Sequence, residues 1–122
     1  MANELTLSGS ITFNDTDETA AVSALNASMT GTRFIHSRQS VGFSADEVVE
    51  LGELTGATLG WAYFKNLDST NFVQIKTASS GTAIVKLKPG EFALFRFGSG
   101  VTAPYAIANT AACLLEFRIY EN

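Results

Sequence analysis

The stretch LGWAYFKNLDSTNFVQIKTASSGTAIVKLKPGEFAL, residues 59–94, decides the fold of this chain. Short apolar and aromatic runs alternate with turn-forming residues, a pattern typical of β-strands joined by tight turns. Residues 68–71 have the composition of such a turn, because Asp and Asn side chains hydrogen-bond to nearby backbone amides. Pro89 and Gly90 predict a type II turn, since Pro presets φ at its second position and Gly accepts the positive φ at its third. The stretch predicts four strands and contains no constellation of residues suited to catalysis.

The same period of two extends toward both ends of the chain. In residues 4–13, ELTLSGSITF, the apolar side chains fall on one face and the Ser and Thr side chains on the other, which predicts a half-solvated strand. Further strands are expected over residues 32–43, 47–52 and 111–120, and Pro104 restricts TAPYAIA to an edge or irregular strand. We therefore predict an all-β fold, an antiparallel β-sandwich or jelly-roll-like domain of about eight to ten short strands that spans residues 1–122.

Residues 14–29 allow two interpretations. Asp15 followed by Glu18 fits a capping box, which would begin a short helix near residues 17–29. The Ser, Thr and Asn content disfavours a helix interior and favours a loop over residues 14–19 followed by a strand.

The composition excludes several classes of protein. Charged residues make up 16% of the chain, against about 25% in an ordinary soluble domain. The net charge is −4 and the Lys and Arg residues are scattered, so the basic patch of a nucleic-acid-binding protein is not expected. The N-terminus lacks the basic and apolar regions of a signal peptide, and no apolar run approaches the ~20 residues of a membrane span. We expect neither nucleic acid nor membrane as a partner.

Apolar residues on both faces of a strand indicate self-association. In EFALFRF, Phe92 and Leu94 point one way, whereas Ala93, Phe95 and Phe97 point the other way. A two-layer sandwich covers only one face of each sheet, so the second face needs another partner, such as a neighbouring subunit. We expect a homo-oligomer in which residues 1–14 form an N-terminal strand or arm that engages a neighbour.

Residues that could catalyse a reaction or bind a metal are few. His36 is the single histidine and Cys113 the single cysteine, so a Ser-His-Asp triad has one candidate base and a closed zinc site lacks ligands. We interpret His36 as a strand residue and Cys113, within AACLLEF, as a buried apolar residue. Asp15, Asp17 and Glu18 offer clustered oxygens for calcium, but without the glycine and distal glutamate of an EF-hand loop.

Two further groups have a structural and a functional interpretation. Glu50 and Glu53 could be imagined as a glycosidase pair, but solvated carboxylates at strand ends explain them better. Trp61, Tyr63 and Tyr105 would suit a sugar-stacking platform, and the core is the favoured place for them. We therefore predict that the chain is not an enzyme and has no catalytic, cofactor-binding or metal-binding residues and no cofactor.

The region from residue 48 to residue 122 resembles small proteins encoded among the structural genes of tailed bacteriophages. The resemblance lies in ELGELTG, the Gly60-Trp61 strand, KNLDSTNFVQI, KLKPGEFALFRF and PYAIANTAACLLEFRIYEN. It implies a virion β-sandwich protein, foremost a capsid decoration (cement) protein that is made in the host cytoplasm and stabilises the capsid exterior. The alternatives are a tail, neck or receptor-binding fibre component and, in another class, a carbohydrate-binding module.

The resemblance also suggests partners. They are further copies of this chain, as a homotrimer, and the phage major capsid protein or other virion proteins. The contacts are expected from residues 3–10 and from exposed apolar positions of the last strand.

Overall fold

Strands make up nearly all of the regular structure, as the period of two predicts. A computed structural model describes residues 4–16 and 18–122, which form ten β-strands and one turn of 3₁₀ helix at Gly52–Leu54. The strands are β1 (Leu5–Phe13), β2 (Glu18–Ala27), β3 (Phe34–Val41), β4 (Glu47–Val48), β5 (Leu59–Asn66), β6 (Val73–Lys76), β7 (Ala83–Leu87), β8 (Phe92–Arg96), β9 (Tyr105–Ala108) and β10 (Cys113–Glu121).

The chain divides into two units, Met1–Thr30 and Gly31–Asn122. In the first unit, β1 pairs antiparallel with β2 as a sheet of their own. The register places Leu7 opposite Leu25 and Ile11 opposite Ala20, with a bulge after Leu7. We refer to this two-stranded sheet as the hairpin.

The second unit is a sandwich of two four-stranded sheets, with strand orders β3-β10-β5-β8 and β4-β9-β6-β7. Every strand pair is antiparallel. The core cluster draws its buried members from residues 41–119, among them Phe64, Val73, Ile75 and Phe117, all fully buried. The predicted all-β, sandwich-like fold is confirmed, while the prediction of one domain over residues 1–122 stays a prediction.

The two turns predicted from local chemistry form as expected. The Asp68 carboxylate accepts hydrogen bonds from the backbone amides of Thr70 (2.9 Å) and Asn71 (2.6 Å). In the other turn, the amide of Glu91 donates to the carbonyl of Lys88 at 3.0 Å, and Gly90 has a φ of +80°.

Three expectations need correction. The prediction of a short helix near residues 17–29 is wrong, because Glu18–Ala27 is a strand whose backbone pairs with β1. Residue 17 itself lies outside the described residues. The restriction of the Pro104 segment to an edge or irregular strand is also wrong, since β9 pairs with both β4 and β6. Pro104 directly precedes β9, so its missing N–H takes nothing from the ladder, and its carbonyl accepts from Val49 at 2.9 Å.

The third correction concerns the apolar face of β1. It was expected to be buried, but Ile11 and Phe13 are exposed. The alternation predicted the two faces of the strand correctly, but water contacts the apolar face as well as the polar one.

Candidate interaction surfaces

The outer face of the β3-β10-β5-β8 sheet carries an unusual set of side chains. Residues directly opposite one another in an antiparallel pair share a face, so the strand registers assign the members. They are Phe34, His36, Arg38 and Ser40 on β3; Leu114, Glu116, Arg118 and Tyr120 on β10; Trp61, Tyr63 and Lys65 on β5; and Phe92, Leu94 and Arg96 on β8. We refer to this set as the aromatic–basic face.

Aromatic rings on this face contact one another across strands. The rings of Phe34 and Tyr120 stack with centroids 5.8 Å apart, and those of Tyr63 and Phe92 lie 6.1 Å apart. The Arg96 guanidinium lies over the Trp61 ring, 5.4 Å from its centroid. Phe92 remains 63% exposed. Exposed rings of this size, clustered on one face, are typical of a surface that another molecule covers.

The charge of the aromatic–basic face is opposite to that of the chain. Arg38, Lys65, Arg96 and Arg118 are its cations and Glu116 is its carboxylate, so the face has a net charge of +3 while the chain has −4. His36 Nε2 lies 3.3 Å from the Glu116 carboxylate. None of the four Arg and Lys side chains forms an ion pair with a carboxylate in the described part of the chain.

A second uncovered surface is the apolar face of the hairpin. It consists of Leu5, Leu7, Gly9, Ile11 and Phe13 on β1 and Ala20, Val22, Leu25 and Ala27 on β2. Ile11 is 74% exposed, Phe13 57%, Val22 54% and Leu25 45%. Since large apolar side chains are normally the ones buried, four exposed ones on a two-stranded sheet mark a contact surface.

The opposite face of the hairpin is polar. Thr6 Oγ1 donates to Asn26 Oδ1 at 3.3 Å, and the hydroxyls of Thr12 and Thr19 lie 3.2 Å apart. These cross-strand hydrogen bonds suit a face that stays in water.

The sequence of the hairpin unit contains acidic residues and no basic ones. Residues 1–30 contain Glu4, Asp15, Asp17 and Glu18 and no Lys or Arg. Asp15 and Glu18 are exposed where the chain turns between β1 and β2. Asp17 lies outside the described residues, so the calcium interpretation of the three acids has no described geometry. The Glu4 carboxylate accepts from the amide of Met29 at 2.9 Å.

The residues considered for catalysis lie apart. Cys113 is buried, with its thiol 3.5 Å from the carbonyl of Asn71, and burial, followed by the charge of Asp68, raises the pKa of the thiol. A thiol with a raised pKa is less available as a nucleophile. Glu50 and Glu53 are both exposed. Within residues 4–16 and 18–122, no group of three His, Cys, Asp or Glu side chains is placed to hold a metal ion.

The core placement of Trp61 and Tyr63 is wrong. Both are half-buried on the aromatic–basic face, while Ala62 and Phe64 of the same strand point into the core. Tyr105, for which the core was also favoured, is half-buried on the other sheet, opposite Val48 and Lys76, while its neighbour Ala106 is in the core. The sequence contained a signal for the face in LLEFRIY, where Leu114, Glu116, Arg118 and Tyr120 alternate with core residues.

Leu114, an apolar position of the last strand for which a contact was expected, is 42% exposed. Of residues 3–10, the other expected contact, residue 3 lies outside the described residues and the rest belong to the start of the hairpin.

Among the described residues, no helix has the length and apolar character needed to cross a membrane. Comparisons with protein-family models, with curated proteins and with solved structures found no significant match for this chain.

Proposed function

We propose that this chain is a structural virion protein of a tailed phage, and foremost a capsid decoration protein that binds the assembled shell and stabilises it. One observation carries the proposal: two large uncovered surfaces with apolar side chains, one on the hairpin and one on the sandwich. A protein with two such surfaces suits a role in which it contacts two neighbours at once. The resemblance of residues 48–122 to virion proteins supplies the setting.

The mechanism is additive binding energy. Full burial of one large apolar side chain such as Ile11 or Phe92 contributes about 1.5–3 kcal/mol. A protein that binds only the assembled shell stabilises that state by mass action. Copies that contact each other as well as the shell act together, so separate weak contacts oppose the separation of capsid subunits.

The test is localisation on the virion. In cryo-microscopy of particles from the phage that encodes this chain, we expect trimers of it at regular positions on the outer shell. Particles without the chain should lose their DNA at a lower temperature, and addition of the purified chain should restore the original value. Particles in which mass spectrometry detects no copy of the chain would overturn the proposal, and density confined to the tail, neck or fibre would favour those alternatives.

A carbohydrate-binding module is the second candidate, because the half-exposed Trp61 and Tyr63 lie on an open sheet face beside Phe92. Aromatic rings on an open face suit stacking against sugar rings. A glycan array should then give binding that Trp61→Ala abolishes and Tyr105→Ala, on the other sheet, leaves intact. An array without hits would remove this candidate.

A further inference from the structure

We propose that the apolar face of the hairpin of one copy docks on the aromatic–basic face of a second copy. The proposal rests on the self-association included in the proposed function and is independent of the place in a virion. The proposal names one specific interface. If copies of the chain associate through another surface, the proposed function still stands and the proposed interface is wrong.

The two surfaces match in hydrophobic character and length. The hairpin presents Ile11, Phe13 and Val22, all more than half exposed. The aromatic–basic face presents Phe92 and Leu94, which are 63% and 40% exposed. The hairpin strands β1 and β2 have nine and ten residues and β10 of the sheet has nine, so a hairpin can cover the sheet along its full length.

The two surfaces also have opposite charge. The hairpin unit has no Lys or Arg in its sequence and exposes the carboxylates of Asp15 and Glu18 at its turn, whereas the aromatic–basic face carries four cations and one carboxylate. Asp15 and Glu18 lie beside Phe13 at the turn of the hairpin, where they can approach cations such as Arg96 or Arg118 of the other copy. Complementary charge steers association and fixes the orientation of the partners.

A second copy of the chain, unlike the other candidate ligands, would cover both the apolar face of the hairpin and the aromatic–basic face. A nucleic acid would suit the cations and rings of the aromatic–basic face, but the acidic hairpin would repel it and stay uncovered. A glycan would likewise leave the hairpin without a partner. The hairpin of a neighbouring copy covers both surfaces in one contact.

The contact joins two different surfaces, so it is heterologous. Repetition of such a contact closes a ring when the rotation between copies allows it, and otherwise gives an open fibre. In a closed ring, every hairpin and every aromatic–basic face is covered, which accounts for the low charge of the chain.

The first experiment blocks each surface in the full chain. Ile11→Lys places a cation on the apolar face of the hairpin, and its matched control, Thr12→Lys, makes the same change one residue later on the polar face. Leu94→Glu combined with Arg118→Glu makes the aromatic–basic face acidic, and Ile84→Glu, at an exposed apolar position of the other sheet, is its control. All of these side chains are exposed, so circular dichroism and thermal unfolding should show folded protein.

By sedimentation velocity, we expect the wild type and both controls to be oligomeric. Ile11→Lys and the Leu94→Glu/Arg118→Glu variant should each be monomeric, with association weakened about a hundredfold or more.

The second experiment mixes the two monomeric variants. The Ile11→Lys protein keeps an intact aromatic–basic face and the other variant keeps an intact hairpin, so a mixture retains one good contact and should form a 1:1 dimer. A monomeric wild type, an Ile11→Lys protein that assembles like Thr12→Lys, or a mixture of folded variants that stays monomeric would overturn the interface. A monomeric wild type whose face binds a fluorescent oligothymidylate or a glycan would identify a different occupant.

These results separate the interface from the function. If the mixture dimerises but the chain is absent from virions, the interface stands and the virion role fails. If the chain decorates capsids and Ile11→Lys does so equally well as a trimer, the function stands and the interface fails.

Discussion

Asn66 is a buried polar residue that contributes to the stability of the sandwich. It is fully buried, and its Nδ2 donates to the carbonyls of Asn71 (2.8 Å) and Leu87 (3.0 Å) while its Oδ1 accepts from the amide of Asp68 (2.9 Å). Asn66 thereby joins the end of β5, the following turn and the end of β7. An amide that is satisfied in this way specifies the positions of three backbone segments.

We predict that Asn66→Ala lowers the free energy of unfolding by about 2–4 kcal/mol, because the buried carbonyl of Leu87 and the part-buried amide of Asp68 lose a partner at a cost of roughly 1–3 kcal/mol each, whereas the carbonyl of Asn71 keeps the Cys113 thiol. Urea denaturation measures the change. The control Ser69→Ala, an exposed position of the same turn, should stay within about 0.5 kcal/mol of wild type. A loss below about 1 kcal/mol for Asn66→Ala would mean that water replaces the amide.

Gly90 allows a second prediction at this scale. Its φ of +80° is unfavourable for a residue with a Cβ, although no atom of the described residues lies within 4 Å of the place a Cβ would take. Gly90→Ala should therefore cost about 1 kcal/mol through the backbone alone. Gly98→Ala, where the space is equally open and φ is not positive, should cost nothing. Equal thermal unfolding temperatures for the two variants would contradict this explanation.

Local chemistry explains which residues could be predicted from sequence. The turns at Asp68 and Gly90 depend on neighbours within a few positions, so the sequence predicts both. Asn66 depends on Leu87, 21 residues away, and its role could not be anticipated. Trp61 was assigned to the wrong face because both faces of β5 are apolar or aromatic, and alternation alone does not say which one meets the other sheet.

Carboxylate side chains form hydrogen bonds and ion pairs at the ends of several strands and loops. Glu121, at the end of β10, accepts from the Arg33 side chain at 2.6 Å and from the amides of Thr32 (3.1 Å) and Arg33 (3.2 Å). A side chain at Gly31 would collide with the Glu121 carboxylate, so the glycine permits this approach. Asp46 accepts from Lys76 Nζ at 3.0 Å and from the amide of Ser80 at 2.6 Å.

These contacts predict how stability depends on pH. Hydrogen bonds from Arg33 lower the pKa of Glu121, and backbone amides of Ser80 and of Asn71 lower the pKa of Asp46 and of Asp68. A carboxylate with a lowered pKa contributes stability above its unfolded pKa of roughly 4 and loses it as the pH falls through the folded value. The free energy of unfolding should therefore be constant from neutral pH to about pH 5 and fall below about pH 4.

A variant isolates one of these contributions. Glu121→Gln should be less stable than wild type at neutral pH, and the difference should shrink in acid as the wild-type carboxylate becomes protonated. Urea denaturation across the acid range measures both proteins. Glu50→Gln, at an exposed position, should stay within about 0.5 kcal/mol of wild type at neutral pH. A Glu121→Gln difference that persists unchanged into acid would show that shape, and not charge, is responsible.

For the hairpin, the sequence favoured two strands but predicted neither their pairing nor the exposure of their apolar face. Period-two alternation fixes which side chains share a face, but it carries no information on what covers that face. An isolated two-stranded hairpin is marginally stable in water. Burial of its apolar face against a partner would therefore also stabilise the hairpin itself.

The core cluster leads to a prediction about truncation. Its members come from residues 41–119, so residues 31–122 alone should fold cooperatively, with a free energy of unfolding within about 1 kcal/mol of the full chain measured as a monomer. The fragment should fail to self-associate in sedimentation velocity. A fragment that is unfolded by circular dichroism, or that oligomerises like the full chain, would contradict the division of roles between the two units.

At the scale of the whole molecule, charge is segregated more strongly than the composition suggests. Scattered Lys and Arg residues in the sequence predict no basic patch, yet antiparallel pairing brings Arg38, Lys65, Arg96 and Arg118 onto one sheet face. Residues far apart in sequence become neighbours only through the sheet order, and no local pattern reveals that order. The scattered positions of these four residues in the sequence therefore do not reveal the basic patch that they form on the folded protein.

Segregated charge makes self-association sensitive to salt. If the acidic hairpin of one copy binds the aromatic–basic face of another, raising NaCl from about 0.1 M to about 1 M shortens the Debye length from roughly 10 Å to roughly 3 Å and should weaken association about tenfold. The loss should come mainly from a slower association rate, since steering acts before contact, and surface plasmon resonance between immobilised and free copies separates the two rates. Lys86→Glu, at an exposed position of the β4-β9-β6-β7 sheet, should keep the wild-type salt dependence, whereas Arg118→Glu should reduce it. An affinity that rises with salt would mean that apolar burial alone drives association and that the opposite charges of the two surfaces do not meet.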